Sequence, residues 1–283
     1  MKYFDLHCDT PYRCFEEGLD FSSLQLAVRC GCENFFEEYN QCFAVWIADD
    51  TESPFKKYRQ TLDSFKKKLG ESGSKIKPVF TVEGGAVLEG NSDNLYTLKN
   101  DGIRALTLTW NGKNEIASGV GEIGGLTPFG REAVRLMNSL DIFCDLSHLN
   151  KESFYGALDV AKHPFASHSC CDDVFGHRRN LDENQLKELI SKGGIIGLCL
   201  YPQFLGEGEV FENIYRHLFY LLDKGYENHI AIGSDFDGAD MDKSLDSAAK
   251  IPSLYLFLEQ KGINKGIIDK IFYENAKNFF SPV

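Results

Sequence analysis

Five side chains with metal-ligand chemistry, His7, Asp9, Glu83, His148 and His168, fall at the ends of apolar runs. His7 and Asp9 are two residues apart, so on a strand they point to the same side. A neutral imidazole beside a carboxylate suits zinc or another borderline divalent metal. Glu83 follows the run 76–82 and precedes Gly84-Gly85, a carboxylate that can enter a crowded site. His148 ends Cys144-Asp145-Leu146-Ser147-His148, and His168 lies in Ala166-Ser167-His168-Ser169. Taken singly, each has an ordinary explanation: a satisfied surface pair, a capping glutamate. Yet the chain has only seven histidines, and three of them fall at run ends. With Glu83 bridging, the set holds two metals sharing an oxygen. Asp235, in Gly233-Ser234-Asp235-Phe236-Asp237-Gly238, is left over as a proton carrier, with Asp237 next in line. A hydroxide bridging two zinc ions is a strong nucleophile at neutral pH and suits hydrolysis of an amide or ester.

These residues must be brought to one place by the elements that carry them. Eight β-rich runs alternate with helical patterns: 3–8, 42–47, 76–82, 103–109, 142–146, 164–167, 194–200 and 229–234. Most are continuously apolar, as parallel strands buried on both faces must be. Thr127-Pro128 reads as an N-cap followed by proline at the first helical position, with Val134, Met137 and Leu140 at helical spacing. Asp182 caps a second helix with Leu186, Leu189 and Ile190 on one face. A third helix covers 211–222. Strands interleaved with helices in this number match an α/β (β/α)8 TIM barrel, whose active site lies at the strand C-termini. An open doubly wound sheet is the runner-up. With no Pro/Ser-rich linker and no internal repeat, residues 1–283 read as one domain.

Composition narrows the function. Lys+Arg number 30 and Asp+Glu 42, a net charge of −12, which argues against a nucleic-acid partner. No window of ~20 apolar residues could span a membrane. The polar start and the Ser281-Pro282-Val283 end suggest neither signal peptide nor lipid anchor, and a cytoplasmic location is expected. The nine cysteines are odd in number and lack a Cys-x-x-Cys, so reduced, buried thiols are expected. Gly119-Val120-Gly121-Glu122-Ile123-Gly124 fits G-x-G-x-x-G, but a polar stretch precedes it and no helix follows until Thr127-Pro128. It is expected to be a flexible loop.

Several motifs together resemble the membrane (renal) dipeptidase family, amidohydrolase-like metal barrels. They are Asp5-Leu6-His7-Cys8-Asp9-Thr10-Pro11, Glu83-Gly84-Gly85, Leu106-Thr107-Leu108-Thr109, Gly125-Leu126-Thr127-Pro128-Phe129-Gly130, Asp145-Leu146-Ser147-His148, Ser167-His168-Ser169, Arg179-Asn180 and Gly233 to Gly238. They stand in family order across most of the chain. The resemblance implies a binuclear zinc enzyme, two Zn(2+) per chain, cleaving dipeptides that carry a free C-terminal carboxylate, D-residues included. It implies that His7 and Asp9 hold one zinc, His148 and His168 the second, and Glu83 both. It gives Arg179 the substrate carboxylate, a task suited to a planar fork of donors. It gives Asp235 the acid/base role and puts Tyr201 in the pocket wall. It also implies homodimers.

Two departures are expected to matter. The animal enzymes carry a secretory signal and a lipid anchor, whereas this chain reads as a soluble bacterial relative. Trp110 stands where family members have a histidine that helps polarise the scissile carbonyl, so Trp110 is expected to line the substrate pocket instead. A related deaminase or cyclic amidase, or a catalytically silent metal-binding barrel, are the other readings of the residues. Arg179 favours a carboxylate-bearing substrate, and an intact Asp235 argues against silence.

Overall fold

Strands apolar on both faces bury themselves only between partners and a helical coat, and a ring gives every strand two partners. The computed structural model describes residues 1–281. In it the eight runs form a closed parallel barrel, β1 to β8 in chain order. The strands are β1 (Lys2–Cys8), β2 (Glu38–Trp46), β3 (Lys77–Glu83), β4 (Ile103–Thr107), β5 (Phe143–Asp145), β6 (Pro164–Ser169), β7 (Ile196–Leu198) and β8 (Ile230–Ile232). The expected (β/α)8 architecture is therefore present. Some strands are shorter than the apolar runs that mark them. β4 stops at Thr107, not Thr109, because the Leu108 carbonyl leaves the ladder to accept from the Asn114 side-chain amide at 2.9 Å.

The helices begin where their caps stand. The Thr127 hydroxyl accepts from Gly130 N ahead of the helix Pro128–Ser139. Asp182 and Gln185 form a reciprocal capping box at the head of Glu183–Ser191. The third expected helix is Val210–Asp223. All nine cysteines are free, and all but Cys30 are buried. Among the described residues no helix is long and apolar enough to cross a membrane.

The seam between β1 and β8 is thin. One residue pair, Asp5 with Ile232, is in register there. Side chains complete the closure. The buried Asp5 carboxylate accepts from Ser234 Oγ at 2.5 Å and Ser234 N at 2.8 Å. Backbone bonds from Asp235 N to the His7 carbonyl (3.2 Å) and from Asp9 N to the Phe236 carbonyl (2.9 Å) continue the clasp beyond the strands.

His217, buried in the helix Val210–Asp223, ties two loops together. Its Nδ1 accepts from Cys171 N at 3.2 Å, and its Nε2 lies 3.1 Å from the Leu205 carbonyl, to which it donates. The bond from Cys171 needs a lone pair on Nδ1 and therefore the neutral ring. Burial pushes its pKa down to about 4. The folded value lies below the unfolded one, so this stability is complete above pH ~6.5 and is lost as pH falls toward 4. The loss is about 3 kcal/mol. Urea titrations at pH 7.5 and 4.5 on the wild type and on His217→Gln will show it: the variant will be less stable at the higher pH, and its stability will change less between the two. Equal pH dependence in both proteins would overturn the assignment.

Candidate functional site

The strand C-termini of the barrel deliver all five ligand-type side chains to one mouth. His7 and Asp9 come from the end of β1, Glu83 is the last residue of β3, His148 follows β5, and His168 lies in β6. All are buried. His7–Asp9–Glu83 and Glu83–His148–His168 each place one ligand atom per residue within 4.8 Å of the others, and Glu83 belongs to both groups. Glu83 Oε1 lies 2.8 Å from His148 Nε2 and 3.6 Å from His168 Nε2, while Oε2 lies 3.4 Å from His7 Nε2. His7 Nε2 is 3.2 Å from Asp9 Oδ2.

Hydrogen bonds on the far side of each ring decide what faces the centre. The Asn111 Oδ1, an acceptor, lies 2.9 Å from His148 Nδ1, so that nitrogen carries the proton. Ser167 Oγ donates to Asp145 Oδ2 at 2.6 Å and therefore accepts from His168 Nδ1 at 2.7 Å. Both Nε2 atoms then present lone pairs, yet they lie 2.8 Å apart. Two lone pairs and a carboxylate oxygen converge with no proton to share, an arrangement that a cation resolves. Asp9 Oδ1 is buried without a hydrogen-bond partner. A side chain on Gly238 would put its Cβ 2.1 Å from Asp9 Oδ2 and 2.7 Å from Asp235 Oδ1, so glycine keeps that space open. The donor set fits divalent metal.

For His148 and His168 the pKa directions leave the rings neutral, as ligation requires, whereas the carboxylates around His7 favour its charged form. Burial drives His148 down to about 4, with Arg179 adding to it, and holds His168 well below the ordinary histidine value. Burial alone would lower His7, but Asp9 and Glu83 outweigh it and raise it. Burial would raise Glu83, but His7 and His148 outweigh it and hold it well below the carboxylate range. Asp9 is lifted to about 6 by burial against the pull of His7.

Asp235 sits just past β8 at φ 65°, and its carboxyl comes within ligand distance of His7 and His168. Burial lifts it to about 7; His7 opposes the shift while Asp9 and Glu83 add to it. A carboxyl with a pKa near neutrality can both take up and release a proton. Asp237 does different work. Its carboxylate accepts from Thr10 Oγ1 at 2.6 Å and from Ala27 N at 2.8 Å, with Val28 N and Arg13 nearby. Those bonds clamp a loop.

The wider mouth is a cavity of about 1160 Å³ whose walls include Trp46, Trp110, Arg179 and Tyr201. Arg179 is 5% exposed. It donates from Nη2 to the His168 carbonyl at 3.1 Å, stacks on Phe204 at 5.3 Å, and has an Nε without a partner. Among the described residues no carboxylate pairs with it within 4.0 Å, so a buried cation faces the cavity unneutralised. Tyr201 packs edge-on to Phe204 at 5.0 Å. Trp110 packs edge-on to Trp46 at 5.2 Å, and Trp46 edge-on to Tyr12 at 5.1 Å, forming one aromatic side of the cavity. The G-x-G-x-x-G segment is a loop, as expected, but its start is pinned: Val120 N donates to the His148 carbonyl at 2.9 Å and Gly121 N to the Asn111 carbonyl at 2.8 Å.

Sequence reading missed the residues behind the ligands. Asp145, quoted only within a motif, accepts from Thr107 Oγ1, Ser167 Oγ, Ser167 N and Ser147 N. Asn111 and Ser167 set the tautomers of His148 and His168.

Comparison with known proteins places the chain. An uncharacterised dipeptidase of Schizosaccharomyces pombe is 32% identical over 219 residues, which make up 74% of this chain but 54% of the yeast protein. The chain thus spans about half the length of that relative. A Klebsiella pneumoniae protein of undescribed activity is 30% identical over 69% of this chain and 77% of its own length. Among solved structures, a dipeptidase of peptidase family M19 superposes with a TM-score of 0.90 at 21% identity, covering 99% of this chain and 98% of that one. A Rhodobacter sphaeroides metallopeptidase bound to a phosphinate mimic of L-Ala-D-Ala gives a TM-score of 0.86 at 20% identity, covering 99% and 98%. The profile of the family described as Membrane dipeptidase (Peptidase family M19) matches residues 45–281, and with that match the chain belongs to this family.

Proposed function

We propose that the protein is a zinc-dependent dipeptidase acting on dipeptides with a free C-terminal carboxylate. The observation that carries this reading is a buried guanidinium without a carboxylate, Arg179, facing the same cavity as Asp9, Glu83 and His148 of the ligand-type cluster. In this reading His7 and Asp9 hold one ion, His148 and His168 the other, and Glu83 both. When bound, such ions supply Lewis acidity, polarising a carbonyl and making water nucleophilic at neutral pH. The chain's own residues do the rest. Arg179 pairs with the substrate carboxylate and so sets the peptide bond over the ligand cluster. Asp235 takes the proton released in attack and returns it to the leaving amine. Trp110, with one N–H donor and no cationic form, shapes the pocket instead of stabilising charge. The phosphinate mimic of L-Ala-D-Ala bound by the Rhodobacter protein supports tolerance of a D-residue at the C-terminal position. The reading as a single domain, the homodimer and the cytoplasmic location rest on the sequence and the family resemblance.

The test is a comparison of free and C-terminally amidated dipeptides with metal-loaded enzyme. Free dipeptides will be cleaved and amidated ones poorly. Arg179→Met will remove a charge-assisted contact of about 1.5–3 kcal/mol, raising KM ~10–100-fold with less change in kcat. Equal cleavage of the amidated substrates would overturn the role of Arg179.

A further inference from the structure

We propose that Asn111 is a positioning residue for metal binding, holding His148 in the tautomer and orientation that present Nε2 to Glu83 and His168, and that Asp49 anchors the loop that carries it. The inference rests on the ligand roles proposed for His148 and Glu83. Asn111 Oδ1 lies 2.9 Å from His148 Nδ1, and on the opposite edge of the ring Nε2 lies 2.8 Å from Glu83 Oε1. Rotation of the ring would break both contacts. His148 sits at φ 68°, past the end of β5, where Val120 N holds its carbonyl but Asn111 is the residue bonded to Nδ1 of its ring.

Asn111 is itself held from outside the ring. Asp49, just after β2, accepts from Gly112 N at 2.8 Å, from Trp110 N at 3.4 Å and from Asn114 Nδ2 at 3.2 Å. The loop's other flank lies against Gly119, where a Cβ would stand 2.3 Å from the Trp110 carbonyl and 2.7 Å from Asn111 C. Glycine there lets the chain lie flush, and the Gly121 N to Asn111 carbonyl bond closes the clamp. A carboxylate on one strand's exit thus fixes an amide on a second, which fixes an imidazole on a third. The same loop carries Trp110, so the pocket wall and the ligand share one anchor.

The experiment measures zinc binding by competition with a chromophoric chelator, and records the visible spectrum of the cobalt-substituted protein. Asn111→Leu removes the acceptor at similar size. It will weaken one zinc equivalent ~10–100-fold, the usual cost of losing a ligand's outer partner, leave the other unchanged, and alter the cobalt spectrum. Asn111→Asp keeps an acceptor oxygen and will bind both equivalents at least as tightly as wild type. Asp49→Ala will weaken the same equivalent as Asn111→Leu. His148→Ala separates the two levels of the reading. If it leaves both equivalents intact, the ligand assignment itself fails. If it removes one while Asn111→Leu binds like wild type, the positioning role is overturned and the ligand assignment stands. Equal loss in Asn111→Leu and Asn111→Asp would also overturn it, since the acceptor would then not be what matters.

Discussion

Glu83→Gln will cost the protein both metal ions rather than one. Each carboxylate oxygen faces a different partner, Oε1 toward His148 and His168 and Oε2 toward His7. An amide keeps one acceptor and replaces the other by a donor. Whichever way it turns, its NH2 group meets a position meant for a cation. Elemental analysis after gel filtration will give well under one equivalent per chain, against two for wild type. Activity will fall by more than the ~10–100-fold that an outer partner is worth. Zinc will also raise the melting temperature of the variant less, because stabilisation by a ligand follows its affinity for the folded state. Two tightly held ions in Glu83→Gln would remove the bridging role.

Asp235→Asn will keep both ions and lose turnover. Asparagine copies the shape of the carboxyl but cannot take up and release a proton. The loss will fall on kcat, by ~10²–10⁴, with little change in KM. Asp237→Asn is the paired control. Its oxygens are spent on Thr10, Ala27 and Val28, so the change will lower melting temperature and leave kcat far closer to wild type. Near-normal turnover in Asp235→Asn would move the proton-carrying role elsewhere.

What could be read in the sequence follows from where each signal is stored. All eight strands were legible because a strand buried on both faces is written as a continuous apolar run. The Thr127 and Asp182 caps were legible because a cap and its partner lie within one turn. The ligand cluster was legible as an ordered set of run-end histidines and carboxylates, although no single member of it was informative. Strand ends were harder. The apolar run of β4 continues to Thr109, but a bond from Asn114 stops the ladder at Thr107. The supporting residues were harder still. Asn111 meets His148, and Asp49 meets Gly112, across long stretches of chain, and neither pairing leaves a local pattern. Asp235 and Asp237 look alike in sequence; their surroundings tell them apart, His7 and His168 beside the first, Thr10, Ala27 and Val28 bonded to the second.

The thin seam between β1 and β8 bears on how the protein is made. His7 and Asp9 lie at the end of the first barrel strand, and Asp235 follows the last. The Asp5–Ser234 clasp joins residues 229 positions apart, so its loop-closure entropy is among the largest in the chain. Long-range pairing of this kind forms slowly and late. Asp235, the residue proposed to move the proton, joins His7 and His168 only through this late closure. In the proposed mechanism the proton step therefore becomes available only once the ring is complete.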